Sequence, residues 1–132
     1  TYLRANVEER LPDVTVKLSP GITAMQALSA VSGRPLVEGK EILALVPATV
    51  GIDKLGKVLD LVDSVAIYKG GRKLPEVVEQ LRSRDRQAVI GTDITLKSEQ
   101  IINLDEVTDA QTLPYFSTVL TTPERTTTGG KL

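Results

Sequence analysis

The 132-residue sequence contains neither cysteine nor histidine. That removes thiolate and imidazole zinc sites, Cys–His nucleophiles and the Ser–His–Asp triad from the chemistry this chain can perform by itself. Carboxylates, cations and backbone remain. Asp60 and Asp63 flank the end of a helical pattern and Asp93 sits in a turn. None makes an acid–base pair, and all three read as solvated or capping groups. Arg34, Lys40, Arg72 and Lys73 follow or adjoin three loops built on small residues: SPGIT (19–23), PATVG (47–51) and YKGGR (68–72). Cations so placed suit a polyanionic substrate, and in such loops the backbone can come close to a ligand. Each loop is also what an ordinary strand-to-helix turn requires, and taken singly that plainer reading outweighs the functional one. No GxGxxG or Walker A pattern occurs, so no dinucleotide or triphosphate signature is present.

The elements that must hold these loops alternate. Residues 2–11 read as a helix, with Leu3, Val7 and Leu11 at helical spacing. VTVKL (14–18) has the β-branched content of a strand. Thr23 is placed to cap a helix over 24–31, which Ser32-Gly33 ends. EILALVP (41–47) is a near-continuous apolar run, as expected of a strand covered on both faces. The pattern then predicts a helix at 52–61, a strand at 64–68, a helix opened by Pro75, and strands at 87–92, 98–104 and 115–121. Strands alternating with helices imply an α/β domain, and the helix-free last third implies an antiparallel part, so the sheet is predicted to be mixed and flanked by helices. Residues 122–132 are expected to be a polar tail.

Bulk properties fit one domain, over 1–121. Surface scaling for a chain of this mass gives roughly 6,800 Å² exposed when folded against roughly 20,600 Å² extended. Sixteen Lys+Arg against 17 Asp+Glu leave a net charge of −1, without the basic footprint of a nucleic-acid binder. Aromatics are only 3%, too few for a base-stacking platform. No apolar run approaches the length of a membrane span, so neither nucleic acid nor membrane is expected as a partner. The lack of cysteine fits a reducing compartment, the cytoplasm.

Taken together, the loops carry more than they do singly. PGITAMQALSAVSGRPL, LVPAT, AIYKGGRKLPEVVEQL, DITLKSEQII and LPYFSTVL follow one another in an order that resembles the C-terminal half of the tetrapyrrole (corrin/porphyrin) methylase family. LVPAT and LPYFS tilt the resemblance toward the subgroup that methylates precorrin-2 or cobalt-factor II in cobalamin biosynthesis. The resemblance implies the C-terminal domain of a two-domain α/β enzyme that holds S-adenosylmethionine between its halves. Residues 1–11 would then continue from an N-terminal domain that this sequence lacks, and the domain by itself would be inactive. It also implies a homodimer acting on a tetrapyrrole.

Carried over residue by residue, Thr23 and Ala24 match the element whose backbone and hydroxyl contact the cofactor. Pro47, Ala48 and Thr49 match the next loop, and Tyr68 and Lys69 a strand end where relatives show Tyr-Met-Gly. Ile94 and Thr95 fall where relatives often show Arg-Ala-Thr, with Asp93 replacing the arginine. Pro114, Tyr115 and Phe116 match the start of the closing strand. Other members of the family share these loops, among them precorrin-4 and uroporphyrinogen-III methylases and diphthine synthase. A non-catalytic α/β interaction domain is the remaining alternative.

Overall fold

The computed structural model describes residues 2–108, 114 and 116–125. They form α1 (Tyr2–Arg10), α2 (Ala24–Ser32), β1 (Leu43–Pro47), α3 (Ile52–Leu61), β2 (Ser64–Tyr68), α4 (Leu74–Arg82), β3 (Ala88–Thr92), β4 (Gln100–Asn103) and β5 (Ser117–Thr121). Single 3-10 turns lie at Ala48–Val50, Gly71–Lys73 and Leu104–Glu106.

The strands make one mixed sheet in the order β1-β2-β5-β3-β4. β1 and β2 are parallel, which requires a crossover, and α3 supplies it. β5 comes last in sequence yet inserts antiparallel between β2 and β3, and β4 pairs antiparallel with the other edge of β3. This is the mixed α/β sheet flanked by helices that the alternation predicts.

Successive side chains on a strand point to opposite faces, and the two faces are covered unequally. On one, Val65, Ile67, Ala88, Ile90 and Val119 pack with Leu55 and Leu59 of α3 and with Leu74, Val77, Val78 and Leu81 of α4. On the other, Ala66, Val89 and Leu120 pack with Leu28 of α2 alone, joined by Met25, Leu36, Leu43, Tyr68 and Ile94. α2 is fixed in place by its ends. Thr23 and Gln26 form a reciprocal capping box, and Gly33 closes the helix at φ +67°.

Three expectations change. Residues 14–18 form no strand, and Val14 and Leu18 are exposed. β-branched content makes a strand only where a neighbour takes up the backbone groups, and among the described residues none pairs with this segment. β1 is an edge strand rather than one covered on both faces; Val46 is buried, but Leu45, pointing the other way, is 56% exposed. The body also continues past residue 121. Thr122 is buried, and the Arg125 guanidinium donates to both Glu41 carboxylate oxygens, Nη1 to Oε1 at 2.8 Å and Nη2 to Oε2 at 2.7 Å. Residues 126–132 lie outside the described residues.

Candidate functional site

At the carboxyl ends of β2 and β3, where β5 begins between them, the second face of the sheet opens into a cleft of about 500 Å³. Ala24, Tyr68, Lys69, Asp93, Ile94, Leu96, Phe116, Ser117 and Thr118 line it. The topology explains the place. β5 runs opposite to β2 and β3, so Thr118 lies opposite both Tyr68 and Gly91. The ends of two strands and the start of a third therefore share one rim, and the N-terminus of α2 closes a side.

Gly91 makes the floor possible. A Cβ there would lie 2.6 Å from Ile94 Cδ1 and 2.7 Å from Leu28 Cδ1, so only glycine lets α2 and the loop after β3 close over the strand. Tyr68 spans the boundary between core and cleft. Burial pushes its phenol above the ordinary value, against the opposite pull of hydrogen bonds with the Met25 backbone and the Thr23 side chain. Thr23 thus caps α2 and meets the hydroxyl of Tyr68.

The rim is backbone-strained. Lys69, Asp93 and Thr95 have φ of +59°, +50° and +73°, a region that costs a residue with a Cβ about 1–3 kcal/mol. The loop after β3 is laced by its own acids: Ser98 Oγ donates to Asp93 Oδ2 at 2.9 Å and the Thr95 amide to Glu99 Oε2 at 2.7 Å. The start of β5 is fixed similarly, Ser117 Oγ donating to the Pro114 carbonyl at 2.6 Å and lying 3.2 Å from Thr92 Oγ1.

Of the residues singled out from the sequence, Ala24, Tyr68, Lys69, Asp93, Ile94 and Phe116 line this cleft and Thr23 adjoins it. Pro47 is paired with Tyr68 one strand over and is exposed. Ala48 is wholly buried in the core on the opposite face, and Thr49 is exposed on the turn beyond it. Neither lines the cleft, because the 3-10 turn carries the chain away from the second face. Thr95 is exposed beside Ile94 and Pro114 is exposed ahead of β5. Tyr115 lies outside the described residues. Sequence reasoning did not single out Leu96, Ser117 or Thr118 as cleft residues. Only the position of β5 between β2 and β3 brings Ser117 and Thr118 there, and no local pattern encodes that.

The isolated carboxylates also find partners. Asp60 Oδ1 accepts from Arg84 Nε at 2.6 Å, and this hydrogen bond holds its carboxyl below the ordinary value. Asp63 accepts from the Ile42 amide at 2.8 Å. A second cavity of about 440 Å³ lies on the far side of α4, lined by Leu74, Pro75, Val78, Arg82 and Val107 among others. It contains none of the candidate site residues named from the sequence. No group of three or more potential metal ligands occurs among the described residues, and none of their helices is long and apolar enough to cross a membrane.

Comparison with known proteins points the same way as the loops. The family model described as Tetrapyrrole (Corrin/Porphyrin) Methylases matches residues 1–108. A precorrin-2 C(20)-methyltransferase from Sinorhizobium sp is 36% identical over 121 residues, 90% of this chain and 48% of the relative. A cobalt-precorrin-2 C(20)-methyltransferase from Salmonella typhimurium is 29% identical over 108 residues, 80% of this chain and 46% of the relative. Among solved structures, a cobalt precorrin-4 methyltransferase superposes with a TM-score of 0.67 at 15% identity, over 91% of this chain and 57% of that one. A uroporphyrin-III C-methyltransferase from Thermus thermophilus, complexed with S-adenosylhomocysteine, gives 0.60 at 18% identity, over 90% and 57%. At those identities the structural likeness speaks for the fold. The chain spans about half the length of the curated relatives it matches.

Proposed function

The chain belongs to the tetrapyrrole (corrin/porphyrin) methylase family, and from that premise we propose that it supplies one wall of an S-adenosylmethionine cleft in an enzyme that C-methylates a tetrapyrrole, precorrin-2 or cobalt-factor II, in cobalamin biosynthesis. The observation that carries the proposal is the convergence of Ala24, Tyr68, Lys69 and Ile94, far apart in sequence, on one open cleft. The cleft has the size of a small-molecule site. Ala24, Ile94, Leu96 and Phe116 offer a flat nucleoside base apolar contact, and the hydroxyls of Tyr68, Ser117 and Thr118 lie at the same rim.

S-adenosylmethionine supplies a methyl group already activated on a sulfonium. A chain without cysteine or histidine can therefore serve the reaction by alignment alone. Ala24 and Ile94 would seat the nucleoside, the backbone at Lys69 would orient it, and Leu96 and Phe116 would keep water from the rim. Positioning of this kind contributes about 7–11 kcal/mol to a displacement. Pro47, Thr49, Thr95 and Pro114 would act from behind the cleft lining or toward the opposite wall, which a second domain would provide. We propose further that this wall alone is inactive and that the complete enzyme is a cytoplasmic homodimer.

Isothermal titration of S-adenosylhomocysteine into the full-length protein carrying this chain tests the reading. Ala24→Trp fills the cleft and is expected to abolish binding, while Thr23→Ala loosens α2 and weakens binding several-fold. Unchanged affinity in both would remove this cleft from the cofactor site. The non-catalytic alternative expects a well-folded full-length protein that binds no S-adenosylhomocysteine, and the methyltransferase relatives do not favour it.

A further inference from the structure

Among the described residues, Lys69 brings the only positive charge to the cleft lining, and it does so from a backbone conformation that favours glycine, with φ +59°. A glycine stands next to it, yet Gly70 takes an ordinary right-handed conformation at φ −77°. The left-handed position is thus held by a lysine one residue from a glycine that has no need of the freedom. Strain retained at the lip of a cleft points to a use for the side chain that is strained. Asp93, also left-handed at φ +50°, ends β3 on the other side of β5. Tyr68 and Gly91 share Thr118 as register partner, so two inter-strand spacings, about 10 Å, separate the strand ends from which Lys69 and Asp93 follow.

Their states differ. The Asp93 carboxylate accepts a hydrogen bond from Ser98 and is committed to its own loop. The Lys69 ammonium has no carboxylate partner among the described residues, whereas Lys73, in the next turn, pairs with Glu76 at 3.2 Å. An uncommitted cation beside an apolar wall recognises an anion on a largely apolar ligand. A tetrapyrrole of the uroporphyrinogen type matches that description, a broad macrocycle rimmed by acetate and propionate groups. Resting on the function proposed above, we propose that Lys69 is a substrate-specificity residue that pairs with a peripheral carboxylate of the tetrapyrrole. The other carboxylate that could reach the cleft belongs to the amino-acid end of the cofactor, and the experiment separates the two.

Full-length protein is titrated, by fluorescence, with uroporphyrin, which carries acetate and propionate groups, and with coproporphyrin, in which methyl groups replace the acetates. S-adenosylhomocysteine is titrated in parallel. The wild type is expected to favour uroporphyrin. Lys69→Met is expected to weaken uroporphyrin binding about two- to fivefold, the range of an exposed charge pair, with smaller changes for coproporphyrin and for S-adenosylhomocysteine, which the Lys69 backbone rather than its ammonium would orient. Lys69→Arg should keep the preference. Lys69→Gly should raise Tm by relieving the strain while losing the preference, a combination that a purely structural lysine would not produce. Unchanged uroporphyrin affinity in Lys69→Met, or a loss confined to S-adenosylhomocysteine, overturns the proposal while leaving the function standing. A wild type that binds neither S-adenosylhomocysteine nor porphyrin overturns both.

Discussion

A single missing side chain decides the shape of the cleft. At Gly91 a Cβ would fall within 3 Å of both Ile94 Cδ1 and Leu28 Cδ1, and Leu28 is wholly buried, so of the two only Ile94 has room to retreat, into the cleft. Gly91→Ala should therefore destabilise the protein by about 1–3 kcal/mol, the usual range for overpacking, and weaken S-adenosylhomocysteine binding by narrowing the site. Urea unfolding and titration calorimetry on the same variant check both halves. A destabilised variant with wild-type affinity would mean that Leu28 moves instead. Residue types alone predicted some of this site and not the rest. Thr23 as a helix cap follows from local chemistry, whereas the close approach at Gly91 does not follow from a segment that reads simply as a strand. The left-handed backbone at Lys69, Asp93 and Thr95 does not either, because tertiary contacts impose it on residues that avoid it locally.

At the scale of elements, α3 and β2 were legible because each is bounded by its own signals: Ile52, Leu55, Val58 and Leu59 share a helical face, and SVAIY is buried over Ser64–Ile67. The segment 14–18 has equal strand character and forms no strand, since pairing is decided by a neighbour absent from the local sequence. The arginines at the end of α4 show the same limit. Arg82 stands in the last turn of α4 and Arg84 Nη1 donates to the Gln80 carbonyl there, as the negative end of a helix favours, but both also reach to other elements. Arg82 Nη2 donates to the Val107 carbonyl at 2.7 Å, and Arg84 binds Asp60 on α3. Arg86 reaches furthest. It donates to the carbonyls of Leu59, Val62 and Asp63, capping the end of α3, where no basic residue stands in the last turn. Burial lowers the Arg86 pKa from its ordinary value, yet an arginine stays charged at neutral pH. Removing it leaves three carbonyls to find other donors, so Arg86→Ala should cost about 1–3 kcal/mol. Arg86→Lys should recover little, because an ammonium lacks the planar fork that reaches several acceptors at once. Equal stability of both variants and the wild type in urea would show that water satisfies those carbonyls.

Across the whole molecule the start of the chain packs least: α1 has no buried residue, and in residues 11–23 Leu18 and Ile22 are exposed. The sheet and its three covering helices are closed at the other end of the chain by Arg125, which ties the last described residue to Glu41, 84 positions earlier. Its Nε lies 3.6 Å from Glu38 Oε2, an ion pair beyond hydrogen-bond reach. Both partners are largely covered, with side chains 15% and 21% exposed, so the pair is screened less than a surface one. The hydrogen bonds from Arg125 hold the Glu41 carboxyl below its ordinary value of 4.5. A carboxyl depressed on folding stabilises the folded state above its unfolded pKa, and that contribution fades as pH falls through the folded value. Glu41→Gln should therefore lower stability at neutral pH by about 1 kcal/mol. Below pH 4.5 the wild type should lose its advantage, so that the two urea midpoints converge on further acidification. A gap that persists undiminished well into acid would show that Glu41 contributes through packing, and that the closure of the chain end does not depend on its charge.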